Sequence, residues 1–239
     1  MEPLRWGIES ADRTDEAFEA EKETVADNGT TEAYELALDA PAATVEALAR
    51  ALELHDYRRG TYGETAAHTS RVTQLGLALA EQVAPELVLE PQLAYGFRLH
   101  DIGMIGVSNA TLIKPGPLSP AEIDEIREHP WLGERIVAPV PALGGMTRQV
   151  IACHHERWDG SGYPRGLRGA EIPLAARIFA VVDAHDALTN DQPYRNAVSH
   201  QEALEEIQSK AGLDFDPAVV DAFLALELGS ETLDHLEHP

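Results

Sequence analysis

The sequence predicts an all-α protein. Apolar residues recur at three- and four-residue spacing in one stretch after another, and alternating strand patterns are scarce. Helix-start signals stand before several of those stretches. The 239 residues contain no internal repeat and no low-complexity tract. They fit one compact domain, residues 32–239, preceded by an acidic extension, residues 1–31, that is expected to be flexible.

The extension carries Asp12, Asp15, Glu16, Glu19, Glu21 and Glu23. A short helix over Ala17–Ala26 is expected, broken at Asn28-Gly29. Leu36, Val45, Leu48 and Leu52 then recur at helical spacing, with Asp39 and Pro41 as a start signal. Arg58-Arg59-Gly60 marks a turn. A helix from about Glu64 to Val83 turns Val72, Leu75 and Leu79 inward. Pro85 and Pro91 bracket a connection, and Gln92–His100 is the next helix. Gly103 and Gly106 turn the chain out of it. Asn109–Pro120 reads as a loop. Ser119, Pro120 and Glu122 then suit the N-cap, N1 and N3 positions of a helix carrying Ile123, Ile126 and His129. Pro139 and Pro141 end a further helix, and Met146–His155 forms another. Trp158–Ile172, with Gly160, Gly162, Gly166 and Gly169, is a loop. A strongly apolar helix runs from Pro173 through Leu188. Gln201–Gln208 and Pro217–Leu226 close the chain as amphipathic helices.

There are 41 acidic residues against 18 basic ones, a formal charge of -23. That excess argues against a binder of DNA or RNA polymers, which needs a basic face. It argues equally against an anionic membrane surface. An anionic substrate stays compatible if bound cations supply the local positive charge. A solvated, soluble surface is the plainer reading of the acidity. Cys153 is the only cysteine, so no intrachain disulfide forms. Met1–Ser10 lacks the pattern of a secretory signal. No uncharged apolar run approaches a membrane span. These features predict a cytoplasmic protein.

The residues that carry chemistry fall in four places. His100 and Asp101 are adjacent, and their nitrogen and oxygen donors suit a borderline divalent ion. The two oxygens of Asp101 allow it to bridge two ions. Glu64 and His68 are four apart and project from one helix face; alone, the pair reads equally as a surface contact. His154 and His155 at a helix end can converge on one ion, with surface histidines as the alternative. His129, beside Pro130, alone reads as a capping or surface residue. Asp183 lies in the run Ile178-Phe179-Ala180-Val181-Val182, where a carboxylate is costly unless paired or on a metal. Asp186 shares its face, and His185 points elsewhere. Cys153 reads as a small core thiol rather than a ligand. Taken together, Glu64, His68, His100, Asp101, His129, His154, His155 and Asp183 offer too many donors for one ion. They suit two or three ions with shared carboxylates, a set that activates water and clamps phosphoryl oxygens.

Residues 45 to about 226 resemble an HD-GYP domain, the bacterial phosphodiesterase branch of the HD metal-dependent phosphohydrolase superfamily. The resemblance rests on His100-Asp101-Ile102-Gly103 and on the run from His154-His155-Glu156-Arg157-Trp158-Asp159-Gly160 through Ser161-Gly162-Tyr163-Pro164. It rests further on Ile172–Ile178, Asp186-Ala187-Leu188-Thr189 and Pro193-Tyr194-Arg195. It implies an HD-type helical bundle with a glycine-rich GYP loop. It implies hydrolysis of cyclic di-GMP to pGpG or onward to GMP. It also implies that His68, His100, Asp101 and Asp183 hold one ion, and that Asp101 bridges to a second held by His129, His154 and His155. Glu64 fits the position that permits a third. Iron is the first expectation, manganese the next. Arg195, Gly162, Tyr163, Pro164 and Asp186 are the expected substrate contacts. The Gly160–Pro164 loop is expected beside the ions, with a plain structural turn as the alternative. A protein partner at this loop and a homodimer are compatible with the pattern.

Two positions depart from the family. Met104 stands where a Lys is usual, and Met neither donates a hydrogen bond nor carries charge. Gln192 stands where an Arg is usual and loses the bidentate fork. The metal shell is therefore expected to be complete and the phosphate-binding shell thinned. The alternatives are a binding or sensor module without turnover, and hydrolysis of another cyclic dinucleotide.

Overall fold

The computed structural model describes residues 40–56, 64–191 and 195–237, with the side chains of Glu64 and of residues 228–237 outside that description. The chain divides into two compact units, Met1–Ala43 and Thr44–Pro239. Of the first, residues 40–43 are described, and they are helical. The helix expected over Ala17–Ala26, its neighbour's start at Asp39, the turn at Arg58-Arg59-Gly60 and the departure at Gln192 lie outside the described residues.

The second unit opens with helix α1 (residues 44–56). There follow α2 (Glu64–Val83), α3 (Pro91–Leu99), α4 (Asn109–Leu112), α5 (Pro120–Arg127), α6 (His129–Val137) and α7 (Gly145–Cys153). Helices α8 (Leu174–Thr189), α9 (His200–Ser209) and α10 (Pro217–Glu237) complete it. No strand occurs among the described residues. None of the described helices is long and apolar enough to cross a membrane.

The apolar stripes read from the sequence meet in one main core. Val72 and Leu79 of α2, Phe97 of α3, Phe179 and Val182 of α8, and Phe223 of α10 are fully buried there, with Leu75 packed at its edge. Burying a side chain of that size stabilises the fold by about 1.5–3 kcal/mol, so α2, α3 and α8 are held as one block. A second cluster joins α1 to the other side of α3. It contains Val45, Leu52, Leu99, Ile102, Val137 and Ile151, with Met104 packed against it. The two cores grip opposite sides of α3 and α7, the helices whose C-terminal ends carry His100 and His154.

The capping box forms as the sequence predicts. Glu122 N–H donates to Ser119 Oγ at 3.4 Å, and Ser119 N–H donates to Glu122 Oε2 at 2.6 Å. Two expectations change. The Asn109–Pro120 stretch is not all loop, because Ser108 Oγ accepts from Ala110 N–H and caps the single turn of α4. The helix begun at Pro120 does not carry His129. It stops at Arg127, and α6 starts afresh at His129. Pro130 has no N–H to return to the carbonyl of Ile126, so the helix breaks there.

Candidate metal centre

That break prepares the site. The Ile126 carbonyl released by Pro130 accepts instead from His129 Nδ1 at 2.8 Å. The last carbonyls of any helix lack intrahelical partners, and two more imidazoles use them. His100, just past the end of α3, donates from Nδ1 to Phe97 O at 2.9 Å. His154, just past the end of α7, donates from Nδ1 to Ile151 O at 3.1 Å. A carbonyl can only accept, so each Nδ1 carries the proton. When such a ring is neutral it presents a bare Nε2, the form that ligates metals.

The Nε2 atoms converge on Asp101. His129 Nε2 lies 3.2 Å from Asp101 Oδ1, and His154 Nε2 lies 3.5 Å from the same oxygen. His100 Nε2 lies 3.5 Å from the other oxygen, Oδ2. Donor atoms of Asp101, His129, His154 and His155 all fall within 4.8 Å of one another. Those of His68, His100 and Asp183 form a second such group, with His68 Nε2 3.5 Å from Asp183 Oδ1. The structure therefore brings together seven of the eight sequence-predicted donors. Glu64 opens α2, and its side chain lies outside the described residues.

Gly103 sets the approach of Asp101 to α6. A Cβ on Gly103 would lie 1.9 Å from the His129 carbonyl and 2.5 Å from Gly133 N. Only a residue without a side chain lets the turn after Asp101 press this close to the start of α6.

Electrostatics show what the donor set lacks without a cation. Burial by itself pushes the His100 pKa down, but the Asp101 charge and hydrogen bond overcome it and hold the ring at about 9. Asp101 answers in kind: burial would raise its pKa, and His100, His129 and His154 hold it well below the usual carboxylate range. His154 and His155 go the other way, lowered first by burial and then by neighbouring imidazoles. The donors present, imidazole nitrogen and carboxylate oxygen with no thiolate, fit a divalent ion.

The glycine-rich loop folds over the same cluster. The Tyr163 ring stacks on His155, with centroids 4.7 Å apart and planes 25° from parallel. Arg127 also stands over the Tyr163 ring, at 5.3 Å. Burial pushes the Tyr163 hydroxyl up to about 12. Gly162 is demanded by contact, since a Cβ there would lie 2.3 Å from Arg157 N. Pro164, on a cis peptide bond, is exposed at the rim. Beneath the loop the buried Glu156 carboxylate accepts from Arg165 N–H at 2.8 Å and Leu167 N–H at 3.0 Å. The sequence reading assigned no role to Glu156, although a carboxylate inside a glycine-rich run is the usual way to tie down exposed backbone N–H groups.

Two expected substrate contacts are placed elsewhere. Asp186 is buried and accepts from His68 Nδ1 at 2.7 Å and from Arg71, which grips both its oxygens. Burial would raise its pKa, but these bonds bring it to about 2. Its oxygens are engaged with His68 and Arg71. Arg195 donates to the Ala187 carbonyl and borders a cavity of about 220 Å³ between α8 and α9, together with Glu206 and Lys210. The Cys153 thiol is buried and pushed up to about 11, mainly by burial, as a core thiol rather than a ligand would be.

His185 does point away from the cluster, toward His200 and Glu227. This third group is a hydrogen-bonded chain. His200 faces His185 Nε2 with Nδ1 at 3.1 Å and Glu227 Oε2 with Nε2 at 3.3 Å. The two contacts use different nitrogens of the His200 ring.

Known proteins give the arrangement its family. The chain is 42% identical over 168 residues to a cyclic di-GMP phosphodiesterase of Thermotoga maritima, a match covering 69% of this chain and 45% of that protein. It is 38% identical over 163 residues to 3'3'-cGAMP-specific phosphodiesterase 3 of Vibrio cholerae, covering 68% of this chain and 35% of that one. Among solved structures it is similar to an HDG"Y"P protein from Bdellovibrio bacteriovorus, with TM-score 0.53 and 23% identity over 66% of this chain and 51% of that one. The chain spans less than half the length of these curated relatives. The HD domain family model matches residues 60–219, more than half of the sequence and all seven of the converging donors. The chain belongs to the HD domain family.

Proposed function

We propose that this chain is a metal-dependent phosphodiesterase that hydrolyses cyclic di-GMP to pGpG, GMP or both. The observation that carries this reading is the position of Asp101, whose two oxygens address two separate groups of imidazoles. On this reading His68, His100, Asp183 and one oxygen of Asp101 hold one divalent ion. The other oxygen, with His129, His154 and His155, holds a second, and Glu64 stands where a third would be held. Iron is the expected metal and manganese the alternative. Ions bound there would supply Lewis acidity toward phosphoryl oxygens and an acidified water as nucleophile.

The chain's own residues do the rest. The carbonyl-locked imidazoles keep their Nε2 atoms aimed before any ion or substrate arrives, so no reorganisation is needed at the moment of reaction. Tyr163 shields His155 from bulk water and offers its ring edge and hydroxyl to the substrate. Arg127, over that ring, sets a positive charge beside a cluster in a strongly acidic protein, where an anionic substrate needs one. The acidic composition and single cysteine fit a cytoplasmic enzyme.

The test is incubation of the chain, loaded anaerobically with iron or separately with manganese, with cyclic di-GMP and chromatography of the products. Release of pGpG or GMP is expected; no product with either metal overturns the proposal.

A second reading has a specific motive. Met104 replaces a usual Lys, and cGAMP-specific phosphodiesterases stand among the relatives. The same assay with 3'3'-cGAMP decides it: faster turnover of that substrate than of cyclic di-GMP makes the mixed dinucleotide the substrate. Calorimetric binding of either without turnover makes the chain a sensor.

A further inference from the structure

Resting on the metal reading above, we propose that Arg71 is a positioning residue for one ion position only. Through Asp186 it fixes His68, and it thereby sets the occupancy of the His68–His100–Asp183 position independently of the His129–His154–His155 position.

The argument starts from where each imidazole finds its Nδ1 acceptor. His100, His129 and His154 stand at helix breaks and take backbone carbonyls released there. Folding the local chain supplies those acceptors automatically. His68 is different. It lies inside α2, one turn after its start and four turns before its end. The carbonyls around it belong to a continuing helix and are already paired. Its Nδ1 must find an acceptor on another element, and it finds Asp186 of α8 at 2.7 Å.

A carboxylate on a rotatable side chain does not by itself fix a ring. Three donors from two residues fix Asp186. Arg71 Nε donates to Oδ1, and Arg71 Nη2 donates to Oδ2 at 2.9 Å. Asn190 Nδ2 donates to Oδ1 at 3.2 Å. The planar guanidinium fork matches both carboxylate oxygens, a geometry that a point charge cannot reproduce. Arg71 follows His68 by three residues, so both project from one face of α2 and reach the same carboxylate. His68 Nε2 is thereby left facing Asp183 Oδ1 at 3.5 Å. None of these contacts touches His129, His154 or His155. Of the four imidazoles His68, His100, His129 and His154, only His68 depends on an Arg–Asp pair between α2 and α8, and His68 serves one ion position alone.

The experiment uses the full chain, stripped of metal and titrated with Mn²⁺ by calorimetry and metal analysis, without substrate. Removing a partner that orients a metal-ligating His weakens the metal roughly 10- to 100-fold. In Arg71→Gln one binding step is expected to weaken by that factor while the other keeps the parent's affinity. Arg71→Lys, which keeps the charge but not the fork, is expected to recover part of the loss. Asp186→Asn removes the charge from the same link, and the same step is expected to weaken. If Arg71→Gln titrates like the parent in both steps, the proposal is overturned. If both steps weaken together and Arg71→Lys restores neither, Arg71 has a general structural role and the proposal is again overturned. A parent chain that takes up no Mn²⁺ overturns the metal reading itself, an outcome distinct from either of these.

Discussion

The Nε2 atoms of His129 and His154 face each other at 3.1 Å while both Nδ1 atoms are engaged with backbone carbonyls. Both Nε2 atoms also lie against Asp101 Oδ1, at 3.2 and 3.5 Å, so three donor atoms crowd one spot. A cation bound there would be held by all three. Added Mn²⁺ is therefore expected to stabilise the folded chain, by about 2.7 kcal/mol at a free concentration 100 times the dissociation constant. In His129→Asn one of these donors is lost, so the Mn²⁺ increment shrinks. Thermal unfolding with and without Mn²⁺ measures the increment.

The metal-free chain should be most stable near pH 6.5 to 7. His100, raised to about 9 in the fold from an unfolded value of about 6.5, contributes stability that is complete below about 6.5 and is lost as the pH rises through 9. His154 and His155 are lowered, so the unfolded chain takes protons that the folded chain refuses, and stability falls as the pH drops below about 6.5. Urea midpoints of chelator-treated protein at pH 5, 7 and 9.5 should peak at the middle value. Bound metal needs His100 unprotonated, so saturating Mn²⁺ should remove the alkaline decline.

Gly103→Ala should damage the site more than a methyl group suggests. Its Cβ would meet the His129 carbonyl and Gly133 N, both backbone, so the turn must lift away from α6. Overpacking of this kind destabilises by about 1–3 kcal/mol. Asp101 moves with the turn, so bound metal per chain should fall as well. Gly106→Ala is the control, since its Cβ would meet the flexible Leu132 side chain at 2.9 Å; it should retain its metal.

Tyr163→Phe keeps the ring stacked on His155 and should leave stability and metal content unchanged. Tyr163→Ala removes the stack, worth about 0.5–1.5 kcal/mol beyond area burial, and opens His155 to water. Its metal affinity should fall. A loss of cyclic di-GMP turnover in Tyr163→Phe with full metal content would assign a role to the hydroxyl; hydrolysis rates for the two variants separate ring from hydroxyl.

Met104→Lys should fold. Both side chains are unbranched, and the Lys stem can lie along the apolar surface that Met104 covers while its ammonium reaches solvent. A gained charge-assisted hydrogen bond to phosphate would be worth about 1.5–3 kcal/mol. Turnover of cyclic di-GMP should then rise about tenfold or more with metal per chain unchanged, read from rate and metal analysis on the same sample.

The sequence by itself placed most of the helices and singled out the seven side chains that the structure brings together. Periodicity reports which face of a helix is buried, and this placed Val72 and Leu79 in the core and Asp183 among apolar residues without the partner helix being known. Ser119 and Glu122 lie within one turn, so their capping box was legible for the same reason. Local chemistry also held the clue to His129, since Pro130 had to release a carbonyl, but the break was read as continuous helix. Tertiary structure alone decided the rest. That His68 needs Asp186, 118 residues away, and that Arg71 locks the pair, follows from α2 packing on α8. Asp186 shares a face with Asp183 in sequence, and only the packing turned it into a support for His68. Arg195 belongs to a motif defined by its order along the chain, yet its guanidinium reaches the Ala187 carbonyl. Spacing along a chain fixes direction only within one rigid element. Which groups meet across elements depends on helix–helix packing, whose determinants are spread over the buried side chains of both partners.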